Sequence, residues 1–171
     1  MTKGRLPVAM LVTIVALGGV SACRYQAEPR WLVRAFPGSY PEIVYFVPTE
    51  RRSIAMTIDD GVDPATTPVI LDVLKEYGAT ATFFLISESV SDNEQLIRRV
   101  IDEGHEIGHH MTSDEVTVRL PEQELAEKFQ RASEVLGAFS HIQWFRPGSA
   151  RYNDHVLELT RAAGYRIALA S

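Results

Sequence analysis

The sequence predicts an α/β fold on a parallel sheet, either open or closed into a barrel. Short apolar runs alternate with amphipathic segments of helical period over residues 53–169. Glycine ends three of the helical segments, at Gly78, Gly104 and Gly164. Polar residues follow three of the apolar runs directly, and the carboxyl ends of parallel strands meet at one edge of a sheet. This alternation therefore predicts a single edge at which side chains from several strands come together.

Composition limits the class of protein. The 171 residues suffice for one domain with a sizeable core, and 46% hydrophobic with 23% charged residues is typical of a globular protein. The net charge of -5 argues against nucleic acid as a partner, because phosphate binding needs a basic face. The sequence does not predict an oligomeric state.

The N-terminus predicts export. Lys3 and Arg5 precede an apolar run over 6–20, which ends in Val-Ser-Ala-Cys at residues 20–23. We interpret residues 1–22 as a signal peptide of the lipoprotein type and Cys23 as the lipid-modified mature N-terminus, which predicts membrane association at the cell envelope. An ordinary signal peptide or a short membrane anchor are the alternatives. Cys23 is the only cysteine, so no intrachain disulfide can form.

Residues 23–50 are rich in proline and are predicted to be a linker, with a lead-in edge strand over 43–47. The domain proper is predicted over 51–171. Its predicted strands lie over 53–58 (buried), 81–86, 106–108, 143–145 and 165–169. Four predicted helices alternate with them: one capped by Thr67 with Pro68 at its first position, one capped by Ser91 or Asp92, one from about Pro121 to Ala138, and one capped by Asn153 or Asp154. A buried parallel strand normally continues into a covering helix, so the chain, whose last strand runs into Ser171, is predicted to be cut short.

Two constellations suggest a metal-dependent chemistry. The first predicted strand ends in Asp59, Asp60 and a glycine, which a solvated turn would also explain. His110 and Asp114 are four apart, and on a helical turn this spacing would place both on one face, close enough to share a cation. Asp60 would complete a three-ligand site with positions left for water and substrate.

The chain resembles the polysaccharide deacetylase family, the NodB homology domain of carbohydrate esterase family 4. Residues 57–61 read Thr-Ile-Asp-Asp-Gly, against the family's Thr-Phe-Asp-Asp-Gly. Residues 104–114 match most of Gly-His-Glu-Ile-Gly-Asn-His-(Ser/Thr)-X-X-His, and 145–147 match the Phe-Arg-Pro that opens the third motif. The resemblance covers roughly residues 43–171. It implies a distorted (β/α) barrel, here lacking its C-terminal strands and helices.

The resemblance also implies roles for individual residues. Asp59 would be the general base, and Arg146 would hold it in place and keep it ionised. Asp60 and His110 would bind a divalent metal, with Asp114 as the third ligand. The metal would be Zn²⁺ first, with Mn²⁺, Co²⁺ or Ni²⁺ as alternatives. The backbone N–H of Ser149 would stabilise the oxyanion formed when metal-bound water attacks the acetyl carbonyl.

Several positions depart from the family pattern. Asp114 stands in place of a second metal-binding histidine, and the more oxygen-rich shell would favour harder ions such as Mn²⁺. His109 replaces an asparagine and is predicted to be a surface or supporting residue, and His105 to be structural or exposed. Gly148 and Ser149 replace Pro-Tyr. No residue matches the C-terminal histidine that protonates the leaving amine in the family.

The function implied is metal-dependent hydrolysis of N- or O-acetyl groups on a cell-wall or extracellular polysaccharide, such as peptidoglycan or a chitin-like chain. Two alternatives come from the departures and from the fold. The first is a non-catalytic or vestigial envelope protein that binds carbohydrate. The second is a hydrolase of a non-peptide C–N bond in a non-sugar substrate, because a fold does not determine a substrate.

Overall fold

A computed structural model describes residues 42–47 and 49–169 of the chain. These residues form a six-stranded, all-parallel sheet in the order β1-β6-β5-β4-β3-β2, curled as part of a (β/α) barrel. The strands are β1 (Ile43–Val44), β2 (Thr57–Ile58), β3 (Thr82–Leu85), β4 (Glu106–His109), β5 (Trp144–Phe145) and β6 (Arg166–Ala168). The helices are α1 (Thr67–Glu76), α2 (Glu94–Asp102), α3 (Glu122–Gly137) and α4 (Asp154–Ala162). The predicted fold class and the predicted order of elements are confirmed.

The register of the sheet brings the motif-bearing loops together. Ile58 pairs with Phe83, Leu85 with His109, and His109 with Phe145. Each strand therefore ends close to the level of its neighbour, and the residues that follow β2, β4 and β5 emerge at one edge of the sheet. β1 and β2 are consecutive in the chain but lie at opposite edges.

Two apolar clusters form the core. One packs α1 and α2 against β2, β3 and β4, with Leu71, Phe83 and Ile97 fully buried. The other packs α3 and α4 against β5 and β6, around Phe129 and Phe145. The apolar stripe of α3 contributes to both clusters, as its helical spacing predicts.

Two of the predicted helix caps are wrong by a residue or two. Thr67 is the first residue of α1 and Thr66 precedes it, because Asp63 Oδ1 accepts the backbone N–H groups of Ala65 and Thr66 and forms the turn itself. α2 begins after Asn93, where Ser91 or Asp92 was expected. The Asn153 cap of α4 is confirmed, since its side chain accepts the Val156 N–H at 3.0 Å.

The buried strand predicted over 53–58 is also wrong in extent and burial. Only Thr57–Ile58 pairs, and Ile54 is 87% exposed. The physical reason is the position of β2 at the edge of the sheet, where it has a neighbour on one side only. The apolar alternation gives the strand but does not show whether both of its sides are covered.

The predicted signal peptide and Cys23 lie outside the described residues. Within the part of the chain that the structure describes, no helix has the length and apolar character needed to cross a membrane.

Candidate active site

The turn after β2 separates the two adjacent carboxylates. Asp60 adopts a left-handed backbone with φ 75°, which aspartate tolerates better than most residues, and Gly61 follows with φ 128°. A Cβ at Gly61 would lie 2.6 Å from Ser89 Oγ, so this turn packs closely against the loop after β3. The backbone reversal at Asp60 gives the two side chains different partners: Asp59 contacts Arg146, and Asp60 faces His110.

The Arg146 side chain contacts residues of three strands, β2, β3 and β6. Its Nη1 donates to Asp59 Oδ1 at 2.6 Å and to Thr57 Oγ1 at 2.9 Å, and its Nε donates to the Ala168 carbonyl at 3.0 Å. The guanidinium also lies 4.1 Å from the centre of the Phe84 ring. Only 7% of the Arg146 side chain is exposed, against 39% for Asp59. The buried cation therefore orients a carboxylate that solvent and substrate can still reach.

His110 is oriented as metal-binding histidines are. Its Nδ1 lies 2.6 Å from the Arg146 carbonyl oxygen, so Nδ1 carries the hydrogen and donates it. In the neutral ring the lone pair is then on Nε2, which lies 3.5 Å from Asp60 Oδ1. Two ligand atoms bound to one tetrahedral Zn²⁺ are separated by about 3.4 Å. The pair Asp60 and His110 therefore fits two positions of a metal site.

The structure does not bring Asp114 to this pair. Residues 110–116 form an irregular loop, and Met111 in it has a left-handed φ of 68°. The helical turn assumed for the His110–Asp114 spacing is therefore wrong, and Asp114 is exposed. Within residues 42–47 and 49–169, no three His, Cys, Asp or Glu side chains lie together so that they could hold a metal ion.

Ser149 lies in a tightly constrained loop after β5. Ser149 and Ala150 both have a left-handed backbone, with φ 59° and 54°, and both are exposed. Gly148 before them is buried and donates its N–H to Thr117 Oγ1 at 2.7 Å. The predicted oxyanion donor, the Ser149 N–H, therefore belongs to a short exposed segment that is attached to the buried Thr117 through Gly148.

The other two histidines of the second motif are structural. His109 was predicted to be a surface or supporting residue; it is fully buried, so the surface alternative is wrong, and it stacks on Phe129 with ring centroids 4.4 Å apart. Burial lowers the pKa of His109 to about 4. His105 is buried against Phe83, and its Nδ1 accepts the Ala81 N–H at 3.3 Å.

Three contacts of the site were not predicted from the sequence: those of Thr57, Phe84 and Thr117. Thr57 stands in the first motif, and its period-two relation to Asp59 places both on one side of the extended chain. Phe84 and Thr117 carry no comparable signal, because their contacts depend on how distant loops meet.

Comparison with known proteins finds similar sequences of one family. A family model described as polysaccharide deacetylase matches residues 46–168. A peptidoglycan-N-acetylglucosamine deacetylase of Bacillus cereus is 35% identical over 75% of this chain and 61% of its own length. A chitooligosaccharide deacetylase of Sinorhizobium fredii is 35% identical over 68% of this chain and 55% of its own length. The chain spans 61% of the length of the first of these relatives and 22–55% of the length of other curated relatives it matches.

Solved structures of the same family superpose on the fold. The peptidoglycan deacetylase PdaC of Bacillus subtilis gives a TM-score of 0.64 at 33% identity, over 72% of this chain and 60% of that chain. A mutant with restored enzymatic activity, of a carbohydrate esterase family 4 pseudoenzyme, gives 0.69 at 25% identity, over 74% of this chain and 47% of that chain. The wild-type pseudoenzyme is from Bacillus anthracis. Structures of this fold therefore include proteins described as active and as inactive.

Proposed function

This chain belongs to the polysaccharide deacetylase family, and we propose that it hydrolyses acetyl groups of a cell-wall or extracellular polysaccharide. The observation that carries the proposal is the division of the two adjacent carboxylates. Asp59 pairs with buried Arg146, while Asp60 Oδ1 lies 3.5 Å from Nε2 of His110. A metal-dependent hydrolase that activates water can use two such carboxylates, one to accept a proton and one to bind a cation.

Asp59 is the general base of the proposed reaction. Its 39% exposed carboxylate can accept a proton from a water molecule above the sheet edge, and the 2.6 Å contact with Arg146 fixes its direction. Arg146 itself is anchored by the Ala168 carbonyl and by the Phe84 ring, so its side chain is expected to keep its position when substrate binds. The backbone N–H of Ser149 is the proposed donor to the oxyanion that develops on the acetyl oxygen.

Asp60 and His110 are the proposed ligands of a divalent metal, Zn²⁺ first. A metal there would polarise the acetyl carbonyl and make bound water more acidic. The Arg146 carbonyl keeps the His110 ring turned toward Asp60, which is the orienting contact that a ligand histidine requires. Asp114 would join this pair only if the loop over 110–116 adopts another conformation when the ion binds.

The substrate class that the relatives support is an N-acetylated glycan, peptidoglycan before chitin-like chains. The named activities of the Bacillus cereus and Sinorhizobium fredii proteins motivate this order, because the first is matched over more of this chain. Exported placement, with a lipid on Cys23, is proposed from the sequence alone and would put the enzyme next to its polymer.

The test is acetate release by the full chain from peptidoglycan and from N-acetylglucosamine oligomers, with metal content measured on the same samples. We expect Asp59→Asn to lower kcat about 100-fold or more while the bound metal persists, because it removes only the proton acceptor. His110→Ala should lose both metal and activity. Asp92→Asn, at an exposed carboxylate on the loop after β3, is the control and should change neither. Turnover that survives both Asp59→Asn and His110→Ala would rule the proposal out.

A second candidate function is non-catalytic binding of a carbohydrate. The exposed position of Asp114 away from the Asp60–His110 pair favours it, and so does the likeness to a pseudoenzyme whose mutant regained activity. Bound metal and glycan with no acetate release from any acetylated glycan or non-sugar amide would support this candidate against the hydrolase.

A further inference from the structure

Gly148 is held by a hydrogen bond to Thr117, a residue with no role in the proposed mechanism. Its backbone N–H donates to the hydroxyl of Thr117 at 2.7 Å, and both residues are buried, Thr117 completely. Thr117 begins the short 3₁₀ turn Thr117–Arg119, far from Gly148 in the chain. The hydrogen bond therefore ties the loop after β4 to the loop after β5, and these two loops carry the later residues of the second and third motifs.

The same two loops also touch through their backbones. A Cβ at position 148 would lie 1.8 Å from the Glu115 carbonyl oxygen and 3.2 Å from Thr117 Oγ1. Any other residue would have to push the loops apart. The third motif of the family usually has proline at this position. Proline has a Cβ and no N–H, so it could neither approach the Glu115 carbonyl this closely nor donate to Thr117.

The loop that holds Gly148 is itself anchored on α3. Glu115 accepts from Lys128 Nζ at 2.7 Å, and Lys128 also lies 3.1 Å from Glu124 on the same helix. The side chains of Lys128 and Glu115 are only 26% and 20% exposed, so the pair is partly shielded from water. The loop is thus attached to a long helix two residues before Thr117.

The segment held by this contact is the one that carries the oxyanion donor. Ser149 and Ala150 keep left-handed φ values of 59° and 54° without being glycine. Such a pair persists only where the surrounding structure imposes it. Gly148 is joined to Ser149 by one peptide group, and that group contains the Ser149 N–H. The two N–H groups are separated by the φ and ψ rotations of Gly148, and the Glu115 carbonyl packed against Gly148 restricts these rotations. Fixing the Gly148 N–H within this packed loop therefore limits the directions in which the Ser149 N–H can point.

We propose that Thr117 is a positioning residue for deacetylation, which holds the Ser149 N–H toward the reacting oxygen through its hydrogen bond to Gly148. The proposal rests on the proposed function. In this chain the hydrogen bond from Gly148 to Thr117 would restrict the loop at the position where the family's third motif usually has a proline ring. Oxyanion donors act through preorganisation, and their misplacement lowers kcat more than it raises KM.

The experiment compares Thr117→Val, Thr117→Ser and the control Thr160→Val in the full chain. Thr160 is also completely buried and also makes one hydrogen bond, to the Val156 carbonyl in α4, so its replacement removes a comparable contact away from the site. We expect Thr117→Val to lower kcat about 10- to 100-fold with KM changed less than about threefold. Thr117→Ser should restore kcat to within about threefold of wild type, because it returns the acceptor.

The outcomes separate this inference from the function on which it rests. Absence of acetate release by the wild-type chain would overturn both. An active wild-type chain in which Thr117→Val keeps kcat, or loses no more than Thr160→Val does, would overturn the positioning role alone. Amide hydrogen exchange gives a readout without turnover: the Gly148 N–H should exchange slowly in wild type and Thr117→Ser and faster in Thr117→Val. Equal exchange in the three proteins would refute the contact itself.

Discussion

Replacing His109 should make the free energy of unfolding of this protein depend less on pH below about pH 6.5. His109 is fully buried, and its neutral ring is used at both nitrogens: Nε2–H donates to the Phe129 carbonyl at 3.0 Å, and Nδ1 accepts the Met111 N–H at 3.2 Å. A proton on Nδ1 would turn that acceptor into a donor facing another N–H. Burial, the largest cause, lowers the pKa of His109 to about 4.

The direction and size of the effect follow from linkage. In the unfolded chain the pKa of His109 returns to its ordinary 6.5, so between pH 6.5 and pH 4 the unfolded chain binds a proton that the folded chain does not. Stability is therefore fully present above pH 6.5 and is lost as the pH falls toward 4. The difference between the two pKa values corresponds to about 3 kcal/mol in total, of which about 2 kcal/mol is lost by pH 5.

Urea unfolding between pH 7.5 and pH 5, in EDTA so that no metal competes with protons, measures this loss. His109→Asn should be less stable at pH 7.5, because it removes the ring stacked on Phe129, but its stability should fall by about 2 kcal/mol less on going to pH 5. His109→Phe keeps an aromatic ring and serves if the asparagine variant does not fold. His141→Asn, at an exposed histidine, is the control and should follow wild type. Parallel curves for wild type and both His109 variants would refute the reasoning.

Two further predictions concern the buried arginine and the N-terminus. Arg146→Lys should lower the free energy of unfolding by about 2 kcal/mol and kcat at least about 10-fold, because lysine keeps the charge but loses the Nε bond to Ala168 and the planar group over Phe84. Arg166→Lys, an exposed arginine 5.1 Å from the Trp144 ring, should change stability by less than about 0.5 kcal/mol, and equal effects in the two variants would contradict the anchoring role. Cys23→Ser should abolish incorporation of labelled fatty acid and release the protein from the membrane fraction, and labelling that persists in this variant would exclude lipidation at Cys23.

The sequence predicted most of the fold because its signals are local. The α3 stripe, the Asn153 cap and the glycines that end α1, α2 and α4 each follow from residues within one or two turns of the helix. The burial of β2 was not predictable in the same way, because it depends on whether another strand lies beside it. His109 shows a missed signal: it stands two residues after buried Ile107 in β4, and period-two alternation places both on the same side of the strand.

The site was predictable to the extent that its geometry follows from strand ends. Asp59 and Arg146 follow β2 and β5, whose carboxyl ends lie on the same side of the curled parallel sheet, and the long Arg146 side chain reaches Asp59 across β4 and β3. The placement of Asp114 depended on a helical turn after His110, and the left-handed Met111 breaks that turn at its first step. A ligand assigned by strand position is therefore already in place, whereas one assigned by helical spacing in a loop depends on that loop. Metal binding should accordingly be weakened far more by His110→Ala than by Asp114→Asn, and equal losses would show that the loop closes onto the ion.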